Sequence, residues 1–246
     1  MLTTRIFHPS LSAGKVYARA YQTATALQWV GGLEELTIKI EEDVKKQTDY
    51  SQAGGGTRAQ VNRIKAVTMG MKMQDWNPVN MARAVFGLTS AVVAGTATNE
   101  PIVAYKGGLI RLAHINPSAV IIKKGAAVVT PTGNYEVVPE GILIPDAPST
   151  LVDADALTVD YAHSGYDVIE ALTTTAPTLQ LVYAGVNEAM DGVSKTLDFF
   201  RVKMGAAKNI GLIDTDFGLL ELEGEVLVDP SRTGAGISRF FREQMA

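Results

Sequence analysis

The chain alternates. Over residues 33–42, Leu36, Ile38 and Ile40 fall on one side of an extended backbone, and Glu35, Thr37, Lys39 and Glu41 fall on the other. Over 61–74, Val67, Met69, Met71 and Met73 oppose Thr68, Gly70, Lys72 and Gln74. Over 156–163, Leu157, Val159 and Tyr161 oppose Thr158, Asp160 and Ala162. Over 219–228, Leu220, Leu222, Val226 and Val228 oppose Glu221, Glu223 and Glu225. Period two with one apolar face is the signature of half-buried strands. Further strands are predicted near 15–19, 102–105, 109–113, 119–123, 127–130, 135–138, 178–186 and 195–204. One helix is predicted. Asn77 suits its N-cap, Pro78 its first turn and Gly87 the position past its end, and Val79, Ala82 and Phe86 form a stripe with Val85 beside it. The fold class is therefore mainly β with one clear α-helix.

One stretch breaks the pattern. Residues 42–60, EDVKKQTDYSQAGGGTRAQ, hold Gly54, Gly55 and Gly56 in a row and almost nothing apolar. They read as a long polar loop, ordered only by a partner surface. No Pro/Ser/Gly linker divides the chain, so residues 1–246 read as a single domain, with 105–155 as a surface elaboration.

Composition narrows the chemistry. The 246 residues contain no cysteine, which excludes a disulfide scaffold, a thiolate metal site and a cysteine nucleophile. His8, His114 and His163 are far apart in sequence, so a histidine metal site needs long-range convergence. No apolar run reaches the roughly 18–20 residues of a membrane span, and MLTTRIFHPSLSAGK lacks the apolar core of a signal peptide. The net charge is −4, made of +3 over residues 1–100 and −7 over 101–246. An acidic chain without a basic block is poorly suited to grip nucleic acid.

Short motifs give no enzyme. Gly54-Gly55-Gly56-Thr57-Arg58 lacks the Gly-Lys-Ser/Thr ending of a phosphate loop. Asp216-Phe217-Gly218 has no accompanying His-Arg-Asp. Asp153-Ala154-Asp155 and Asp214-Thr215-Asp216 do not continue as calcium loops and fit turns better. Asp160 and His163 fall on opposite faces of one strand, with no serine in an elbow context. Met69, Met71, Met73 and Met81 read as core filler rather than a soft-metal site. No catalytic residue, metal or cofactor is expected.

The order of features resembles the major tail tube proteins of long-tailed bacteriophages, relatives of contractile-tail and type VI secretion tube proteins. The resemblance runs through GKVYARAY (14–21), WVGGLEELTIKIEED (29–43), TDYSQAGGGTRAQ (48–60) and RIKAVTMGMKMQDWNPVNMARAVFG (63–87). It continues more loosely through ALTVDYAHSGYDVI (156–169), LVYAGVNEAMDG (181–192) and FGLLELEGEVLVD (217–229). It implies a β-sandwich or barrel-like subunit with a helix at its side. Six such subunits close into a ring around a continuous lumenal barrel, and rings stack into a tube.

On that resemblance, the polar faces line the lumen: Glu35, Thr37, Lys39, Glu41, Thr68, Lys72, Asp160, Glu221, Glu223 and Glu225. Four strands per subunit in a six-fold barrel, at about 4.8 Å spacing and about 40° tilt, give a diameter of about 50 Å and a bore of about 40 Å. An acidic wall would keep DNA from sticking during transit. The 42–60 loop would contact the next ring through Asp43, Lys45, Lys46, Asp49, Gly54, Gly55, Gly56 and Arg58. Arg239, Phe240, Phe241 and Arg242 are a second candidate contact between subunits. Implied partners are further copies, the tape measure protein, and tail tip and tail terminator proteins; DNA passes without specific binding and no membrane is involved. The implied location is the virion tail, assembled in the host cytoplasm. The alternatives are the inner tube of a contractile tail or type VI system, and a β-sandwich ligand-binding module. Trp29 and Trp76 lie in separate turn regions, which disfavours an aromatic binding face.

Overall fold

The structure, a computed structural model, describes residues 9–51, 53–213 and 215–246. His8 and Asp214, both weighed above, lie outside the described residues. In chain order the strands are β1 (Ser12–Ala20), β2 (Gln28–Trp29), β3 (Leu33–Thr48) and β4 (Thr57–Met73). After helix α1 (Pro78–Ala84) come β5 (Leu88–Val92), β6 (Gly95–Val103), β7 (Leu109–Arg111), β8 (Pro117–Lys124) and β9 (Ala127–Val129). Then follow β10 (Glu136–Val138), β11 (Gly141–Leu143), β12 (Ala156–His163) and β13 (Tyr166–Glu170). The last are β14 (Thr178–Asn187), β15 (Val193–Met204), β16 (Leu220–Val226) and β17 (Phe241–Met245). The described residues adopt the expected class, mainly β with one α-helix.

Contacts divide the chain into two compact units: residues 1–89 with 169–246, and residues 90–168. The stretch 105–155 lies within the second. Both boundaries fall inside strands, in β5 and β13, which pair with each other.

The first unit is built on one sheet in the order β2-β1-β14-β15-β16-β4-β3, with β17 also on β15. Alternation places Met69, Met71, Met73, Leu220, Leu222 and Val226 in its core, with Val16, Leu181, Phe199 and Val202. Val228 lies past the end of β16 and is partly exposed. The sheet does not close into a barrel. A cavity of about 550 Å³ lies between β1 and β3, floored by Val16, Leu36, Ile38 and Leu197.

Helix α1 starts as expected. Asn77 Oδ1 accepts the Asn80 N–H at 2.8 Å, and Pro78 opens the first turn. Its buried side differs from the expected stripe. Ala82 is buried, but so are Asn80 and Ala84, while Val79 is half exposed. Asn80 Nδ2 donates to the Val30 carbonyl at 2.5 Å, and this bond draws its face inward. The helix end differs too. Phe86, not Gly87, takes the left-handed conformation, with φ 50°, and the Gly87 N–H returns to the Ala82 carbonyl at 2.7 Å. Gly87 is needed for another reason: a Cβ there would lie 2.7 Å from the Glu170 carbonyl oxygen.

The second unit pairs β6-β12-β8-β9 in one sheet and β10-β11-β7 in another. Their apolar faces share a core of Ile122, Ile142, Ile144, Leu157, Val159 and Tyr161.

The largest correction concerns residues 42–60. Most of this stretch is strand, not loop. β3 and β4 stay paired from Glu42↔Ile64 to Thr48↔Thr57, leaving only 49–56 as a turn. Low apolar content forbids burial, yet it does not forbid cross-strand backbone pairing, and both faces of this ribbon meet solvent. The turn is closed by the Asp49 N–H on the Gly56 carbonyl at 2.7 Å, with Gly54 and Gly55 at left-handed φ of 106° and 64°. At about 3.3 Å per residue, the ribbon beyond Glu41 is an arm of about 25 Å.

Two substitutions test this packing. Met69→Ala should cost about 2–5 kcal/mol in denaturant unfolding. Gly87→Ala should cost about 1–3 kcal/mol, since backbone must move to admit the methyl; a neutral result would show that the α1–β13 approach is not tight.

Candidate functional site

Register, rather than spacing along the chain, assembles the polar face. β4 pairs with β16 on one side and β3 on the other, so residues of three strands line up in rows. Glu221, Lys72 and Glu35 form one row; Glu223, Gly70 and Thr37 the next; Glu225, Thr68 and Lys39 the third. Glu41 continues the face one step along β3, opposite Ala66. Nine of the ten residues expected on a common polar surface are thus brought together.

Asp160 is the exception. It lies on β12 in the second unit. Its carboxylate accepts from Lys123 and from the Asn99 N–H at 2.7 Å. Lys123 first, then Asn99, holds it below the usual aspartate range. Its period-two resemblance to the other polar positions reflects strand geometry alone.

The face is less acidic than the sequence suggested. Lys72 Nζ meets Glu35 at 2.8 Å, and Lys39 and Lys65 reach Glu41 at 3.3 and 3.5 Å. Three cations were missed, and Lys65 is the first of them. Lys203 of β15 lies opposite Glu225 in register, and Lys208 reaches Glu223 at 2.5 Å from the loop after β15. Lys203 alternates within a stretch already legible as a strand, so its face was readable; Lys208 follows no period. The face is then a chequer of glutamates and lysines rather than a sheet of carboxylates. Exposed pairs like these add little stability, but they fix how charge is distributed.

The arm carries the other expected set. Asp43 and Lys45 meet at 3.4 Å on one side, with Lys46 on the other. Asp49 is bound inside the turn, its Oδ1 accepting from the Ser51 N–H and hydroxyl at 2.9 and 2.5 Å, which hold its carboxyl below the usual range. Gly54, Gly55 and Gly56 form the tip with exposed Tyr50, and Arg58 is the second residue of the return strand. By register, Ile40, Val44 and Ile64 share the side that is core-facing lower down β3, and all three are substantially exposed. The outer edge of β3 pairs with no strand among the described residues.

Residues 239–242 sit on the chain itself. β17 pairs with β15, Phe241 packs on Phe199 with ring centroids 6.1 Å apart, and Arg242 meets Asp198 at 2.9 Å.

Two histidines do converge, in the second unit. His114 and His163 stack with ring centroids 3.8 Å apart and planes 8° apart. Tyr166 Oη lies 3.0 Å from His114 Nδ1. Tyr161 donates to Glu100 at 2.6 Å, and burial followed by that bond pushes its phenol up to about 12. Among the described residues, no three His, Cys, Asp or Glu side chains are placed to hold a metal ion.

Residues 9–244 match the family described as "Protein of unknown function UCP028589". The chain belongs to this family. Among curated proteins no match was found.

Glu41 gives a pH test at the root of the arm. The Lys39 hydrogen bond and charge, then those of Lys65, hold its carboxyl below the usual glutamate range. A depressed folded pKa gives stabilisation that is complete above the unfolded value and is lost as pH falls through the folded one. Acidification below the ordinary carboxylate range should therefore speed amide exchange at residues 40–42 and 64–67, after correction for intrinsic rates. Glu41→Gln should remove that acid dependence; its persistence would place the titrating group elsewhere.

Proposed function

We propose that this protein is a self-assembling structural subunit of a phage tail tube. Copies form six-fold rings, rings stack, and the tube holds the tape measure protein and later conducts DNA. One observation carries the reading: a polar face in register across β16, β4 and β3 runs onto a long two-stranded arm whose outer edge pairs with no strand among the described residues.

Each part has a use in such an assembly. A 16-residue edge with no partner strand among the described residues is a template for another strand, and head-to-tail rings consume edges that a monomer would expose. β15, β16, β4 and β3 are consecutive neighbours, so four strands per copy can enter a shared wall. A wall of mixed glutamates and lysines offers duplex phosphates no continuous cationic strip, so it favours passage over retention. The exposed aliphatic side of the arm is surface for a neighbouring copy to cover.

The decisive experiment is negative-stain electron microscopy across a concentration series, beside solution mass. Rings or tubes with a bore of about 40 Å are expected. Replacing residues 43–63 with a two-residue turn should leave the first unit folded and abolish stacking. A chain that stays monomeric at every concentration, with tail tip complexes added, overturns the reading and favours a binding module.

A further inference from the structure

The loop between β15 and β16 is anchored near both ends and exposes large apolar side chains between them. The Gly205 N–H donates to the Glu223 carbonyl at 2.7 Å, the Ala207 N–H to the Ala84 carbonyl at 2.8 Å, and Trp76 Nε1 to the Gly218 carbonyl at 3.2 Å. Between these anchors Leu212, Ile213 and Phe217 are 85%, 98% and 99% exposed. Three large apolar side chains on one short crest are costly to leave in water. Asp216 stands among them, exposed and in no ion pair among the described residues.

The same unit carries a recess of matching character. It measures about 220 Å³ and is lined by Val79, Arg83, Phe86, Leu88 and Pro177 among others. This is the side of α1 that the Asn80 bond turned away from the core, which is why Val79 is half exposed. Arg83 makes one side-chain hydrogen bond, to Asn80 Oδ1 at 3.4 Å, and meets no carboxylate among the described residues. Burial alone lowers its pKa, with no anion opposing that shift. A partly buried guanidinium without a counter-ion in an apolar recess is incomplete.

We infer that a crest made by Leu212, Ile213, Asp216 and Phe217 of one copy docks in the α1 recess of a second copy, with Phe217 and Ile213 against Val79, Phe86 and Leu88, and Asp216 paired to Arg83. The contact rests on the self-assembly proposed above. Crest and recess are different surfaces, and Phe217 does not occupy its own chain's recess. Used head to tail, as the ring proposed above requires, the contact is heterologous: each copy added leaves one crest and one recess free, which propagates a ring rather than ending at a dimer.

The cysteine-free chain makes the test direct. Phe217→Cys and Leu88→Cys, made in separate chains, mixed and mildly oxidised, should give covalent heterodimers several-fold in excess of either homodimer. Both positions are exposed, so folding is preserved. Asp216→Arg or Arg83→Asp alone should raise the concentration needed for assembly about tenfold or more, and the two together in one chain should restore it. Assembled particles without the heterodimer overturn this contact and leave the tube reading standing. So does a double-cysteine chain that crosslinks within itself, because the crest then closes its own recess. A chain that never assembles overturns both.

Discussion

Backbone pairing along β4 is the constraint on which the rest depends. Its seventeen residues hydrogen-bond to β3 over the whole strand and to β16 over its last third. Because side chains alternate, that one register decides two things together. It buries Val67, Met69, Met71 and Met73, and it sets Lys72 between Glu221 and Glu35 and Thr68 between Glu225 and Lys39. A slip of one residue would exchange these faces, putting lysine into the core and methionine into water. Core and polar surface are therefore one decision, enforced by the cost of the wrong burial.

This explains which parts were legible in the sequence. Alternation is visible wherever one face is buried, so β3, β4, β12 and β16 could be found and their faces assigned from residue order alone. The arm could not. Its pairing is between backbones, both its faces are wet, and neither leaves a period in the side chains. The division into two units was hidden as well, because the junctions fall within β5 and β13 and no linker composition marks them. The N-cap Asn77 was readable because capping is local, whereas the inward turn of Asn80 depends on a carbonyl fifty residues away.

The charge of the polar face shows a different limit. The glutamates of β3 and β16 are plain in the sequence, and so are Lys39 and Lys72. The placement of Lys203 opposite Glu225 depends on which strand lies beside which, and the Lys208–Glu223 pair on the course of an irregular loop. Asp160 errs in the opposite sense: it has the pattern of a face residue and belongs to another sheet. Periodicity assigns a side to a residue; only topology assigns it neighbours.

The order of strands in the main sheet also bears on how the chain is made. β3 and β4 are joined by a short turn and can form their ribbon soon after synthesis. β1 must wait: Arg19 bonds Gln180 across 161 residues, and Leu11 bonds Asn187 across 176. Through most of translation the edge of β1 that meets β14 stays open, and the whole second unit is made before that partner emerges. Long-range closure of this kind slows folding and lengthens the time in which strand edges are open to strangers. A folded second unit shortens the effective loop to be closed, since its two ends meet at the β5–β13 pair. The insert thus acts as a clasp in time, holding the two halves of a discontinuous sheet near each other until the last strands arrive.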